Sequence, residues 1–394
     1  MKGKIVILIY QTYLPYQGRY PRVSGQARIL QDNGFEVTVL ACDREGSYPE
    51  EETLEGIQVR RIPGRMGEGR GPFRQLVPLL SFFVKSLGWL LTNRFDILHC
   101  HNLDALPVGC LVRILKRCPV LFDAHEPNYY ALWPKKWKPL LRLVEALERV
   151  MAKNVDAISV TNDYQVQKYK RLGVHRVELV GNYAHPSLGA RDIYEEKFLR
   201  NHVTFGRLGT ILHETGFEAS VEAFARIIDA YPQTRWLIAG RIVDYYKKAF
   251  FRLIEPIRNY VLLMGAYPVE ELPELNRQVD VSLLIYPENA FYRNITPRKF
   301  FDSLANGVPV IMSDIGGLGD IIRDRKCGLV VDERDPDTIA DAMARLIEDT
   351  ALRRKMACNA LKLAKTDFDW QTMARNYIEF HQDLMIRQRV RIST

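Results

Sequence analysis

Short apolar runs alternate along this chain with segments of helical periodicity. In the first half the apolar runs are residues 5–9, 37–40, 57–60, 96–99, 120–123 and 157–160. Segments with helical spacing, such as residues 24–33 and 140–153, separate most of them. Apolar strands that alternate with helices are typical of a parallel sheet covered by helices on both faces.

A second series of the same kind follows a polar stretch at residues 184–201. Its apolar runs are residues 203–205, 236–239, 261–264, 281–285, 308–312 and 329–331. At about 150 residues per domain, a chain of 394 residues has room for two domains. The sequence therefore predicts an α/β protein with two doubly wound, Rossmann-like domains, whose ligands bind at the carboxyl ends of the strands.

Several function classes are disfavoured by what the turns lack. The first turn, residues 11–18, contains no G-x-G-x-x-G, and the chain has no G-x-x-x-x-G-K-[ST], so a nicotinamide enzyme and a P-loop nucleotidase are disfavoured. The six cysteines include no C-x-x-C pair and predict reduced core thiols. Residues 1–4 are too short for a signal peptide, and residues 76–91 are too short and interrupted to span a bilayer.

The most informative segment is residues 294–317, where a polar loop is expected to enter a helix. Pro297 suits the first turn of that helix, because its missing N–H has no partner there, and Gly307 suits the helix end. Arg298 and Lys299 lie at the positive end of the helix dipole, which is unfavourable unless an anion binds there. Two solvated basic residues are the simpler alternative, and this local pattern leaves it open.

The same segment resembles the donor-site signature of family-4 retaining glycosyltransferases of the GT-B fold. Many members have two glutamates separated by seven residues, and a subgroup has Pro-x-Lys-x-Phe-Glu. Here Pro297, Lys299 and Phe300 fit the subgroup, whereas Asn294 and Asp302 stand at the two acidic positions. The run Ala-Asn-Gly-Val-Pro-Val at residues 305–310 is similar to the helix end and strand that follow in the family.

The resemblance extends in order over nearly the whole chain. Its further pieces are residues 20–23 and 34–39, 96–101, 122–126 (Phe-Asp-Ala-His-Glu), 181–183, 205–208, 214–216 and 369–370. It implies an acceptor-side domain over residues 1–186 and a nucleotide-sugar donor domain over residues 187–368. It also implies a last helix, residues 369–394, that returns to the first domain, with the two domains facing across a cleft.

The resemblance implies roles for individual side chains of the donor site. The catalytic candidates are His125, Asn294 and Asp302, and the donor-binding candidates are Gly206, Arg207, Thr296, Arg298 and Lys299. Arg207 matches an arginine that binds the donor phosphates, and a guanidinium stabilises a leaving diphosphate. The family's partner lysine is replaced by Thr215, so Lys299 or Arg298 is expected to supply the second positive charge.

The expected reaction is front-face substitution with retention, in which the leaving phosphate accepts the acceptor's proton. Because this needs no protein nucleophile, an asparagine at position 294 is compatible with activity. The family uses no metal or other cofactor, and the donor is expected to be UDP- or GDP-linked. His99 and His101 share one face of a strand, but the sequence shows no third or fourth ligand for zinc.

The acceptor side and the membrane complete the predicted site. The acceptor-side candidates are Gly18, Arg22, His101 and Glu126, each of which could equally be an ordinary turn, helix or capping residue. The membrane-contact candidates are Trp133, Lys135, Lys136, Trp137 and Lys138, which mix aromatic and basic side chains. The leucine-rich run at residues 76–91 is a second candidate, and a core helix with a solvated loop is the alternative for both.

The distribution of charge also favours contact with an anionic membrane. The formal net charge is +8, and residues 1–200 hold 29 Lys and Arg against 21 Asp and Glu, so the whole excess lies in the first half. The sequence thus predicts a transferase for a lipid-linked or polysaccharide acceptor, peripheral on the cytoplasmic face of the membrane. A non-catalytic GT-B binding module is the main alternative, and a GT-B epimerase a weaker one; no nucleic-acid motif is present.

Overall fold

This computed structural model describes residues 2–14, 21–64, 72–125, 138–213, 216–289 and 291–393. The chain forms two compact units. Unit 1 comprises Met1–Gly181 together with Gln371–Thr394, and unit 2 comprises Asn182–Trp370. Each unit contains one sheet with helices packed on it, which is the α/β architecture that the alternating apolar runs predict.

Unit 1 contains an eight-stranded sheet. Its strands are β1 (Lys4–Ile9), β2 (Glu36–Asp43), β3 (Glu51–Leu54), β4 (Ile57–Pro63), β5 (Ile97–His101), β6 (Val120–Asp123), β7 (Ala157–Val160) and β8 (Val177–Leu179). Their spatial order is β3-β4-β2-β1-β5-β6-β7-β8, and every neighbouring pair is parallel except β3–β4. The order reverses between β1 and β5, and such a switch point opens a crevice at the carboxyl ends of the strands.

Helices connect these strands. They are α1 (Pro21–Asp32), α2 (Pro72–Thr92), α3 (Asn102–Lys116), α4 (Lys138–Ala152) and α5 (Asp163–Arg171). The core under them is built from alternating positions of β1, β5 and β6 together with the inner faces of α2 and α3, where side chains such as Phe82, Leu90 and Val112 are buried. Burial of such a surface is the dominant favourable contribution to the free energy of folding.

Unit 2 contains a six-stranded, wholly parallel sheet. Its strands are β9 (Thr204–Leu208), β10 (Arg235–Ala239), β11 (Val261–Met264), β12 (Val281–Leu284), β13 (Val310–Ser313) and β14 (Gly328–Val331). The order β11-β10-β9-β12-β13-β14 is that of a Rossmann sheet, with the reversal between β9 and β12.

The helices of unit 2 follow the same alternation. They are α6 (Phe217–Ile227), α7 (Asp244–Ile254), α8 (Leu272–Gln278), α9 (Arg298–Ala305), α10 (Leu318–Arg325), α11 (Pro336–Glu348) and α12 (Thr350–Lys365). A last helix, α13 (Trp370–Ser393), belongs from Gln371 onward to unit 1. None of the described helices combines the length with the apolar composition that crossing a bilayer requires.

All six cysteines are free thiols. Four of them are buried, Cys110 is partly buried and Cys358 is exposed on α12. The expectation that all six are core residues is therefore wrong for Cys358, because α12 turns that position toward solvent.

Candidate functional site

Arg207 occupies the centre of the sheet in unit 2. It lies on β9, between β10 and β12, and only 2% of it is exposed. Its guanidinium stacks over the ring of Tyr286 at 4.6 Å and lies 5.6 Å from the ring of Phe217. One guanidinium nitrogen donates to the carbonyl of Leu283 at 3.3 Å. These contacts hold a cation at the switch point of the sheet, where an anionic ligand would bind.

The start of α9 places its two basic side chains differently. Pro297 precedes the helix in an extended conformation and caps it, one position before the first turn in which the sequence placed it. Arg298 turns along the helix and donates from Nε to the Asp302 carboxylate at 3.3 Å. Lys299 extends instead to the end of β9, where a Cβ on Gly209 would lie 2.8 Å from its Cε and 3.1 Å from its Nζ.

The electrostatics of Lys299 follow from that position. Burial and, to a smaller extent, the charge of Arg207 lower its pKa to about 7, against the opposing effect of Asp302. A buried lysine whose protonation is opposed by a neighbouring guanidinium defines a site whose ordinary occupant is an anion.

The remaining donor-site candidates lie around the entry to α9. Asn294 ends a short 3-10 turn and is largely buried, as is Thr296, whose carbonyl accepts a hydrogen bond from Asn182 at 3.3 Å. Burial raises the pKa of Asp302, while its pairing with Arg298 lowers it. Asp302 is therefore already engaged with Arg298, and its carboxylate is close enough to Lys299 to influence its protonation.

Glycines shape the carboxyl ends of the strands in unit 2. Gly209, with φ +102°, follows β9, and a Cβ on Gly240 would come within 2.2 Å of the Gly209 carbonyl. After β13, a Cβ on Gly316 would lie 2.2 Å from the Ile295 carbonyl. At Gly206 the missing Cβ leaves room for Val279, which would lie 2.4 Å from it inside the fold.

In unit 1 two of the acceptor-side candidates, Arg22 and His101, lie beside Asp123, the last residue of β6. Arg22, on α1, places Nε 3.0 Å from Oδ2 and Nη2 3.1 Å from Oδ1 of this carboxylate, and also donates to the carbonyl of Val180. Gln26 donates to Oδ2 at 2.8 Å. Burial alone would raise the pKa of Asp123, but Arg22 and then the neighbouring histidines hold it well below its usual range.

Three buried histidines complete this network. The rings of His99 and His101 are tilted against each other with their centroids 4.4 Å apart, and each has a ring nitrogen 3.8 Å from Asp123. Burial lowers the pKa of His101 and of His381 to about 4 and that of His99 well below its ordinary value. Tyr377, on α13, places its hydroxyl 3.1 Å from Nδ1 of His99, so the last helix is tied to the sheet of unit 1.

The arrangement of His99, His101 and Asp123 raises the question of a metal. One ligand atom from each lies within 4.8 Å of the others, so Asp123 is the third group that the sequence did not reveal. Both carboxylate oxygens, however, already accept hydrogen bonds from Arg22. A divalent cation would have to displace a buried guanidinium, and the network as it stands fits no metal.

Some predicted residues lie outside the described residues. They are Gly18, Glu126, Trp133, Lys135, Lys136, Trp137 and Thr215. Lys138 begins α4. His125 follows Asp123 by two residues and is partly exposed, and its charge acts on Asp123 and His101.

The sequence did not single out Asp123, Gln26, Tyr286, Tyr377 and His381 as site residues. Asp123 had a usable signal, because a carboxylate at the end of a buried strand needs a partner. Tyr377 and His381 also had a usable signal, because their spacing of four residues places them on the same face of a helix. Gln26 and Tyr286 carry no pattern that would distinguish them.

Comparison with known proteins agrees with these two units. The family model described as "Glycosyl transferase 4-like domain" matches residues 18–182, and "Glycosyl transferases group 1" matches residues 200–349. An uncharacterized glycosyltransferase of Methanocaldococcus jannaschii is 23% identical over 92% of this chain and 93% of its own length.

Solved structures are similar in fold. The sucrose-phosphate synthase of Thermosynechococcus elongatus superposes with a TM-score of 0.77 at 17% identity, over 98% of this chain and 100% of its own. Anabaena HepE, solved in complex with UDP-glucose, superposes with a TM-score of 0.72 at 16% identity, over 97% of this chain and 100% of its own.

Two Rossmann-like units with this topology define the GT-B class of fold, which confirms the predicted fold class. Within that class, the chain belongs to the GT-B glycosyltransferases of the transferase 4-like and group 1 type.

Proposed function

We propose that this protein moves a sugar from a UDP- or GDP-linked donor to a lipid-linked or polysaccharide acceptor, with retention and without a metal. In this proposal it acts on the cytoplasmic face of the membrane as a peripheral protein. The complexes of HepE with UDP and UDP-glucose support a nucleotide sugar as the donor.

The observation that carries this proposal is the pair of cations at the end of β9. Arg207 is fixed by Tyr286 and Leu283, and Lys299 reaches the same point from α9. A guanidinium binds two phosphate oxygens at once, and an ammonium supplies a compact charge beside it. Lys299, and not Arg298, therefore takes the place of the lysine that Thr215 replaces, because Arg298 is paired with Asp302.

The chemistry assigned to this site is a front-face displacement. The bond between the sugar C1 and the diphosphate oxygen breaks as the acceptor oxygen bonds to C1 on the same face. The acceptor's proton passes to the leaving diphosphate, whose negative charge Arg207 and Lys299 stabilise. Asn294 donates and accepts hydrogen bonds at sugar hydroxyls, and Asp302 binds the ribose, with Thr296 beside it.

On the acceptor side, His125 is the candidate that contacts the substrate. Arg22 and His101 are positioning residues, because they are buried around Asp123 and fix the end of β6 from which His125 extends. Their replacement is expected to lower kcat and stability together, whereas replacement of His125 should leave stability intact.

Release of nucleoside diphosphate tests the proposal. The purified chain is incubated with a panel of UDP- and GDP-sugars and a membrane lipid extract. We expect release with at least one donor, and a loss of at least about 100-fold in Arg207→Ala, since removal of one buried charge-assisted contact to the transition state costs about 3 kcal/mol. Lys247→Ala, an exposed lysine on α7, is the matched control. No release across the panel, with lipid present, contradicts the proposal.

A non-catalytic GT-B binding module is the second candidate. The asparagine at position 294 favours it, because this side chain cannot carry the negative charge of the usual glutamate. This alternative predicts that UDP or GDP raises the melting temperature while no donor is turned over. The variant Asn294→Glu distinguishes the binding module from the active transferase. If wild type has no turnover and the variant gains it, the protein is a transferase that has lost its activity.

A further inference from the structure

Exposed apolar side chains are concentrated on three helices of unit 1. Among the described residues, 17 large apolar side chains are strongly exposed, and ten of them lie on α2, α3 and α4. Isolated exposed apolar residues need no explanation, but a contiguous set of them marks an interaction surface.

The three helices lie side by side, with α3 in the middle. At one end of α3, Lys116 donates through Nζ to the carbonyl of Leu90 on α2 at 2.7 Å. On its other side, the Cys110 thiol lies 3.9 Å from the carbonyl of Met151 on α4. Their outer surfaces therefore form one face, which we call the α2–α3–α4 face.

On α2, the exposed positions repeat at helical spacing. Val77, Leu80, Val84 and Leu91 point outward, while Phe82 on the opposite side is fully buried. The exposed fraction reaches 72% at Val77 and at Val84, so this helix is apolar on both its inner and outer sides. An outer apolar stripe of that kind is not explained by the core of unit 1.

The middle helix continues the face. Leu111, Ile114 and Leu115 are exposed near the end of α3, and Ile114 is 70% exposed. Because α3 touches both neighbours, these side chains join the stripe of α2 to the stripe of α4.

On α4 the apolar stripe is accompanied by cations. Leu143, Leu147 and Val150 are exposed at spacings of four and three residues. A row of exposed cations runs beside this apolar row. It consists of Arg142, Arg149 and Lys153, which also recur at helical spacing.

Carboxylates are absent from the exposed positions of this face as far as the structure describes it. The acids on the three helices are Asp104, Glu145 and Glu148, and none of them is strongly exposed. Glu148 is buried and bonded to Lys168 and Tyr169. Lys85 on α2 and Arg117 just after α3 add exposed positive charge.

We propose that the α2–α3–α4 face docks on an anionic lipid bilayer. Apolar side chains enter the boundary between headgroups and acyl chains, and the flanking arginines and lysines bury their methylene stems while their charges meet lipid phosphates. A second copy of this chain fits less well, because it would bring the same cations together across an isologous contact. The docking rests on the proposed function in one respect: it would bring the transferase to a lipid-linked acceptor.

Vesicle flotation tests the docking. We expect the full chain to float with vesicles of equal parts phosphatidylcholine and phosphatidylglycerol and to stay behind with phosphatidylcholine alone. The triple variant Leu143→Gln, Leu147→Gln and Val150→Gln should bind at least about tenfold less, since each buried apolar side chain and each cation near the surface contributes several-fold. The matched control is Leu199→Gln in unit 2, where the leucine is 86% exposed and is not part of this face.

Each outcome decides a separate point. Equal flotation of wild type and triple variant, or no flotation of wild type, overturns the docking. If wild type instead sediments as a dimer that the triple variant dissociates, the face is a contact between copies and the proposal is wrong. Release of nucleoside diphosphate from the donor, measured in the same preparations, tests the proposed transferase independently, because the substituted residues lie outside the donor site.

Discussion

The pH dependence of nucleotide binding is the sharpest consequence of the cation pair in unit 2. Lys299 has a pKa of about 7 in the free protein, because burial and the Arg207 charge oppose its protonation. A bound diphosphate favours the charged form and raises that pKa. Above pH 7 the lysine must therefore take up a proton on binding, so the affinity falls as the pH rises.

The magnitude follows from the charged fraction of Lys299. With a pKa of about 7, roughly three quarters of the lysines are charged at about pH 6.5 and roughly 3% at about pH 8.5. The dissociation constant of UDP or GDP should then rise about 25-fold between these values. Lys299→Met should bind about ten- to 150-fold more weakly at the lower pH, since a hydrogen bond to a charged group contributes about 1.5–3 kcal/mol.

Isothermal titration calorimetry at the two pH values measures both effects. The nucleotide's own phosphate titrates as well, so the relevant quantity is the difference between wild type and Lys299→Met. Lys247→Met, an exposed lysine of unit 2, controls for net charge, and thermal melts control for folding. If the affinity of wild type changes with pH no more than the affinity of Lys299→Met does, this lysine does not bind the diphosphate.

Three further changes test other parts of the structure. Gly209→Ala should raise the dissociation constant of the nucleotide, because its Cβ would meet the lysine side chain at 2.8 Å, while Gly173→Ala, also at positive φ but in open space, should not. Asp123→Asn should lower the free energy of unfolding by about 3–5 kcal/mol in urea titrations, because it leaves the buried Arg22 without its counter-charge; a loss below about 1 kcal/mol contradicts this. His381→Phe should flatten the pH dependence of stability. The pKa of this histidine is about 4 in the folded protein and about 6.5 in the unfolded chain. The free energy of unfolding of wild type therefore falls by up to about 3 kcal/mol as the pH falls through that window. If the urea midpoint changes equally between about pH 7 and pH 5 in wild type and in the variant, His381 does not titrate in this way.

Most of the fold could be read from the sequence because it depends on local patterns. Every strand with an apolar run was predicted, including all six of unit 2. The two strands that were missed, β3 and β8, are short and lie at the edges of the sheet of unit 1. Glu51 and Glu52 begin β3, and edge positions accept such polar residues because one side of the strand faces solvent.

The site was predicted less completely, because it depends on contacts between distant residues. The spacing of Arg298 and Lys299 predicted two cations at a helix start, but only the fold shows that one pairs with Asp302 and the other reaches Gly209. Arg22 and Asp123 are 101 residues apart, so no local pattern could pair them. The exposed stripe on α4 was not predicted, because only the fold shows that Leu143, Leu147 and Val150 face solvent.

Turnover of a nucleotide sugar, with the anomeric configuration of the product determined by NMR, decides whether this protein is a retaining glycosyltransferase. We expect wild type to release UDP or GDP and to form a product whose anomeric configuration matches that of the donor, and we expect Arg207→Ala to abolish both. Nucleotide binding without any release, or a product of inverted configuration, would contradict this expectation.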